Sequence, residues 1–416
     1  MRKQPTIPQM HPLVGPRESR ALVFLPRPAS KVTVLMQTTM SCSLPPEILD
    51  QIVDHLHNEP ATLGACCIVS KSWVPRSRIH LFARVKFTPK FPIESWTEAF
   101  PDPSNSPAHY TRTLIVHGHQ PSATAAGANA GPWIRSFHNI VHLHLDSHPL
   151  APLHGLSSAL RSLRLACPKA RSSEILDFMC SFPLLEDLSL LALRCESEAG
   201  DWATPSDLPR LTGSLGLSGM LGGISPIIRR LLDLRHGLHF TTIALVWIDE
   251  ADLKLAADLV SQCSGTLETL GVSEDLLGMS FLHPPCPIIT LPPRSDPATT
   301  LFDISAATKL KHLAFQFNQP NVQWITMALQ TIDSNHLQQI TLRPNAYNFR
   351  HLIQETVYQE WGDLDRLLVE FWASHSIRPT VTYDTGVGRE DMRDYAPSLL
   401  PELTRRGLVD LVEDNY

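Results

Sequence analysis

A short apolar phrase, apolar-x-x-apolar-x-apolar, recurs along the chain and constrains its fold more than any other feature. Clear copies are IVHLHL from Ile140, LRSLRL from Leu160, LEDLSL from Leu185, FTTIAL from Phe240, LETLGV from Leu267, LKHLAF from Leu310 and LQQITL from Leu337. Because alternate residues of a strand point to opposite faces, the apolar residues of each copy lie on one side. Most copies recur at intervals of about 20 to 29 residues, with two wider gaps, which predicts one supersecondary unit stacked many times, since a single unit cannot bury its apolar face.

The segments between these phrases carry helix signals. Ser225-Pro226 precedes IIRRLLDLR, and Asp249 can cap EADLKLAADLVSQCS. This order of strand and helix is typical of leucine-rich repeats, although the asparagine usual after the third apolar residue is absent. For residues 89–383 we therefore predict an irregular leucine-rich-repeat-like α/β solenoid, with a generic α/β domain as the alternative. Residues 384–416 are predicted to form a helical cap, because four leucines lie near helical spacing: Leu399, Leu400, Leu403 and Leu408.

Composition and charge exclude several classes of protein. The formal net charge of −6 over 416 residues argues against nucleic acid as the main partner. The eight cysteines form no C-x-x-C pair and no apolar run is long enough for a membrane span, so the expected location is the cytoplasm or nucleus. Residues 1–40 mix prolines with basic residues and predict a disordered extension or a misassigned start, with a mitochondrial presequence as the alternative.

Three short helices are predicted between Ser43 and Phe82. In the first helix, one apolar stripe is formed by Ile48, Leu49, Ile52, Val53 and Leu56. A second helix is expected from Pro60, and a third from near Ser70. Three helices of this length enclose only a minimal core, so the segment is expected to need a partner surface.

This segment resembles an F-box, and residues 41–88 are assigned to it. The resemblance rests on LPPEI at Leu44, on IVSKSW ending at Trp73, and on PRSRIHLF, which is similar to F-box proteins of mushroom-forming fungi. An unrelated three-helix cap is the alternative. The resemblance implies docking on the Skp-type adaptor of cullin–RING ubiquitin ligases, through Leu44, Pro45, Ile48, Ile52, Leu56, Val69 and Trp73. For Ile52 and Trp73, internal core packing is an equal alternative.

The resulting functional hypothesis is a substrate-recognition subunit of a Skp–cullin–F-box ubiquitin ligase, with no enzymatic activity and no cofactor. The repeat region would bind an unidentified target protein through outward-facing residues, with His142, His144, Arg164 and Trp247 as candidates. The alternatives are an F-box scaffold outside ubiquitination, or a hydrolase or metal enzyme.

Two patterns carry weak signals of chemistry. VHLHLDSH places His142, His144 and Asp146 on one strand face, near His117, His119 and His148, but alternating histidines are also expected on the outward face of any strand. Asp384-Thr385-Gly386 resembles half of an aspartic protease site, yet that chemistry needs two carboxylates and the motif is not repeated. We therefore expect a turn at Asp384 and no metal at the histidines.

Overall fold

The computed structural model describes residues 45–118, 135–150, 153–154, 156–166, 170–193, 211–219, 225–234, 237–246, 250–274, 304–317, 322–332, 335–344, 355–383 and 397–413. The chain divides into two compact units. Unit 1 comprises Met1–Pro168 and Ser181–Leu184, and unit 2 comprises Lys169–Cys180 and Leu185–Tyr416. Leu44, His119, Trp247 and the Asp384-Thr385-Gly386 motif lie outside the described residues.

Unit 1 begins with three short helices, α1 (Pro46–His55), α2 (Pro60–Val69) and α3 (Val74–Leu81). Each has a proline in its first turn, where the missing amide hydrogen costs no hydrogen bond. Their small core contains Val53, Leu63 and Cys66. The third helix begins later than the expected start near Ser70, because the backbone amide of Ser72 donates to the Ser70 hydroxyl and the chain turns there.

A half-buried ion pair connects α1 to α3. The Asp54 carboxylate accepts hydrogen bonds from Nε and Nη2 of Arg76, each at 2.5 Å, and its Oδ1 lies 2.7 Å from His80 Nε2. The two hydrogen bonds from Arg76, followed by the contact with His80, hold the pKa of Asp54 well below its usual range. This bidentate contact holds α1 against α3, because the apolar core between the helices is small.

The sheet of unit 1 follows directly. Its strands are β1 (Arg84–Phe87), β2 (Thr113–His117), β3 (His142–Asp146) and β4 (Ser162–Ala166), and each is parallel to the next in chain order. A further helix, α4 (Ile93–Ala99), lies between β1 and β2 in the chain. Strand β1 falls inside residues 41–88, which the sequence assigns to the F-box alone. The repeat phrase is missing there, but Val85 and Phe87 still alternate inward.

An aromatic cluster joins the end of α3 to the first strands within unit 1. Trp96 packs edge-to-face on Phe82 and Phe87, with ring centroids 5.9 Å and 6.0 Å apart, and its indole nitrogen donates to the Ser106 hydroxyl at 3.1 Å. Phe137 lies fully buried 5.5 Å from the Trp96 ring. Such pairs stabilise a core beyond their buried area. The helices and the first strands therefore share one core.

Unit 2 alternates strands with helices. Its elements are α5 (Ser172–Cys180), β5 (Asp187–Leu193), β6 (Ser214–Gly219), α6 (Ser225–Leu232), β7 (Thr242–Val246), α7 (Glu250–Gln262), β8 (Thr269–Glu274), β9 (His312–Phe317), α8 (Gln323–Gln330), β10 (Gln339–Pro344), α9 (Glu355–His375), β11 (Pro379–Tyr383), α10 (Pro401–Arg405) and β12 (Asp410–Glu413). Strands β5 to β12 pair in chain order, all parallel. The predicted mixed α/β fold with a parallel sheet is confirmed.

A backbone ladder links successive strands. The carbonyl of Gly213 accepts hydrogen bonds from the amides of Thr241 and Thr242, and the carbonyl of Thr241 in turn accepts from Glu268 and Thr269. The same pattern continues from Glu268 to β9 and from Lys311 to β10, and it recurs in unit 1 from Ala83 to β2. Because the ladder uses only main-chain atoms, any residue except proline can donate to it.

The C-terminal segment differs from the helical cap predicted for residues 384–416. Its described part contains helix α10 but also strand β12, which pairs with β11 and extends the sheet. The carboxylate of buried Asp365, on α9, accepts hydrogen bonds from the amides of Glu402 and Leu403 at 2.7 Å and 3.1 Å. Burial raises the pKa of Asp365. The Asp365 side chain on α9 thus provides hydrogen-bond acceptors for the free backbone amides at the start of α10.

Candidate functional site

Exposed apolar side chains are concentrated on α1, α2 and α3. Ile68 and Val69, at the end of α2, are 88% and 71% exposed, and Ile52 on α1 is 41% exposed. Ile48 lies one helical turn before Ile52 on the same face of α1, and Ile79 on α3 is also exposed. We call these five residues the apolar helix surface. Exposed apolar side chains mark protein-binding sites when they form a contiguous patch.

The residues predicted to contact an adaptor are not equally accessible. Pro45, Ile48, Ile52 and Val69 are exposed, whereas Leu56 and Trp73 are half-buried. Sequence reasoning missed Ile68, the most exposed large apolar residue among those described. Nothing in the local pattern distinguished Ile68, because adjacent apolar residues such as Ile227 and Ile228 on α6 are both fully buried.

The outward face of the unit 1 sheet carries several cations. Lys86, Ile115, His144 and Arg164 are aligned in register across β1 to β4. A second aligned row contains Arg84, Thr113, His142 and Ser162. We call Arg84, Lys86, His142, His144 and Arg164 the basic face. Arg84 and Lys86 are not among the predicted site residues, because the sequence pattern predicts no strand before residue 89.

Asp146 is the one carboxylate on strands β1 to β4, and a histidine side chain contacts it. Its Oδ2 lies 3.2 Å from Nδ1 of His117, and the His117 ring lies 5.7 Å from that of His144 between centroids. Arg164 is half-buried, and its Nε has no hydrogen-bond partner among the described residues. Three permanent cations, Arg84, Lys86 and Arg164, therefore stand against one carboxylate on these strands.

Burial and neighbouring cations determine the charge state of His144. Burial, followed by the charges of Arg164 and His117, lowers its pKa to about 4. His144 is therefore neutral at neutral pH, while the guanidinium of Arg164 remains charged although burial lowers its pKa. The arrangement can accept a negatively charged group, since both side chains can offer N–H donors.

The outward face of unit 2 is different. The aligned residues across β5 to β10 are small or carry a hydroxyl: Ser189, Gly216, Ala244, Gly271, Ala314 and Thr341. Each of these residues lies between two inward apolar residues of its own strand. A face of this composition offers close backbone approach and few charged contacts.

No arrangement for metal chemistry is found in the described ranges, where no three His, Cys, Asp or Glu side chains are grouped to hold an ion. Across the same ranges, no helix has both the length and the apolar character to cross a bilayer.

Comparison with known proteins adds little. No family model matches the chain, and no curated protein matches it. Among solved structures, the chain is similar to the leucine-rich repeat-containing protein LegL7 from Legionella pneumophila, with 13% identity, a TM-score of 0.41, and coverage of 77% of this chain and 98% of that one. The class defined by the strand order and register is a mixed α/β protein of parallel strands with an apolar-x-apolar inward pattern.

Proposed function

We propose that this chain is the substrate-recognition subunit of a Skp–cullin–F-box ubiquitin ligase. Helices α1 to α3 dock on the Skp-type adaptor, and the outward sheet faces bind a target protein in the cytoplasm or nucleus. The observation that carries the proposal is the apolar helix surface, which coincides with the segment that resembles an F-box.

The energetics of the apolar helix surface favour a protein partner. Removing an isoleucine or valine side chain from water contributes about 1.5 to 3 kcal/mol when its burial is complete. Ile68 and Val69 are almost fully available for such burial, and Ile48 and Ile52 are partly available. The helices hold these residues without flexible backbone, so little ordering free energy opposes docking.

The test of adaptor docking is a pair of surface variants. Ile52→Ser with Val69→Ser should weaken capture of the Skp-type adaptor by about tenfold or more, because two apolar contacts are lost. The matched control is Leu184→Ser with Val412→Ser, which removes two similarly exposed apolar side chains (48% and 46%) outside α1 to α3. The proposal fails if the first variant captures the adaptor as well as the control does.

A second measurement separates a ubiquitin ligase from a scaffold. Purification of the full chain from cells should recover cullin together with the adaptor. Recovery of the adaptor without cullin would support an F-box scaffold that acts outside ubiquitination.

A further inference from the structure

The basic face carries more positive charge than the described part of the chain balances on these strands. Arg84 and Lys86 are exposed and form no ion pair among the described residues, and Arg164 Nε is unpartnered there as well. Opposing them on these strands is Asp146 alone, and His117 contacts that carboxylate. The chain as a whole has a net charge of −6, so this local excess of cations stands against an acidic average.

We propose that the basic face binds an extended, glutamate- and aspartate-rich segment of the target protein. This inference rests on the proposed function, because it names the chemical class of target that the receptor would capture.

The spacing of the cations favours carboxylates distributed along a peptide. Lys86 is on β1 and Arg164 is on β4, which are three strand spacings apart, or about 14 Å. An extended segment of about five residues covers that distance. A single phosphate group is best held by guanidinium groups that converge on one point, and Arg84, Lys86 and Arg164 do not converge on one strand position.

The uncharged residues between the basic side chains suit contact with a peptide backbone. Ile115 separates Lys86 from His144 in the aligned row, and Thr113 separates Arg84 from His142. A peptide crossing the strands would thus meet an apolar or hydroxyl contact between successive N–H donors. His144 and Arg164, adjacent in register, would provide its innermost N–H donors.

The test is a binding measurement on the full-length chain with a fluorescent peptide of about ten residues that alternates glutamate with serine. We expect saturable binding that weakens as salt is raised, because the attraction is electrostatic. Lys86→Gln with Arg164→Gln should weaken binding about tenfold. The control Arg229→Gln with Lys254→Gln, which removes the same charges from exposed helix positions in unit 2, should bind normally.

Further variants guard against a folding defect at half-buried Arg164. Lys86→Gln and Arg84→Gln change exposed side chains, and each alone should weaken binding about threefold. Arg164→Lys keeps the charge but loses the planar fork, so its binding should be weakened less than that of Arg164→Gln.

Competing probes decide between ligand classes. The proposal is overturned if the glutamate peptide does not bind, if the basic-face variants bind it as well as the control, or if an all-serine peptide binds equally. It is also overturned if a peptide with one phosphoserine, or a single-stranded oligonucleotide of equal charge, binds more tightly than the glutamate peptide. Adaptor capture by the Lys86→Gln and Arg164→Gln variant should remain normal, so failure here is distinguishable from failure of the ligase proposal.

Discussion

One aligned row on the outward sheet face of each unit differs sharply in chemical character, although the strands of both units follow one pattern. In unit 1 the aligned row runs Lys86, Ile115, His144 and Arg164, whereas the row in unit 2 contains glycine, alanine, serine and threonine. The inward positions do not differ in this way, since leucines such as Leu145 and Leu245 are fully buried in both units. Burial thus constrains one face of each strand and leaves the other face to vary.

Two basic residues of the unit 1 row, His144 and Arg164, are partly buried, and this burial opposes their charged forms. The unit 1 face thus holds a half-buried arginine and a histidine whose pKa is lowered to about 4. Unit 2 instead brings small residues together, so that a methyl group placed on Gly216 would lie 3.2 Å from the Ser189 hydroxyl oxygen. A charged binding face and a smooth face are therefore built on the same framework.

The largest expected effect tests the equivalence of the inward positions. Leu145→Ala in unit 1 and Leu245→Ala in unit 2 should each lower the free energy of unfolding by about 3 kcal/mol, because each removes a buried side chain from a packed core. Urea unfolding would measure each loss of stability. Hydrogen exchange of the native protein would assign it to one unit. A cost below about 1 kcal/mol for either variant would contradict the equivalence.

A smaller effect should separate the units by their response to acid. The pKa of His144 in the folded chain is about 4, below its ordinary 6.5, so between these values the unfolded chain takes up a proton that the folded chain does not. Stability should therefore fall as the pH drops through this window. After allowance for solvent screening, the contribution is about 1 kcal/mol between neutral pH and about pH 5.

His144→Gln should remove this part of the pH dependence, as measured by urea unfolding of both proteins across the window. Unit 2 offers a contrast at Glu402, where hydrogen bonds from Arg405 and Arg406 lower the pKa from 4.5 to about 2. Its contribution is lost only as the pH falls through that lower range. An unchanged pH profile for His144→Gln would show that the histidine is not shielded as described.

The smallest effect tests the tolerance of the smooth face. Ala244→Arg should change the free energy of unfolding by no more than about 0.5 kcal/mol, because Gly216 and Gly271 flank it in register and leave room for the side chain. Leu245→Arg, at the adjacent inward position, serves as the contrasting variant and should prevent stable folding. Thermal melting of both proteins would measure the difference, and a comparable loss in both would show that the two faces are not distinct.

Sequence reasoning located the strands well where the apolar phrase was complete. The copies at Leu143, Leu163, Leu188 and Leu270 all coincide with strands, because alternation is a local property of the chain. It did not identify β1, β11 or β12, whose short alternating segments lack the phrase and become strands by pairing with a neighbour. For the same reason Arg84 and Lys86 were not recognised as part of the candidate site.

The amino-acid sequence by itself determined the inward leucines, the strands that carry the repeated apolar phrase, and the segment that resembles an F-box. Only the tertiary structure decided that Lys86, His144 and Arg164 share one row, because strand register joins residues far apart in the chain. It also decided that Asp365 satisfies the start of α10, and that main-chain carbonyls link successive strands. Hydrophobic periodicity is visible in a short window of residues, whereas hydrogen bonds and charge contacts between distant segments depend on the folded chain.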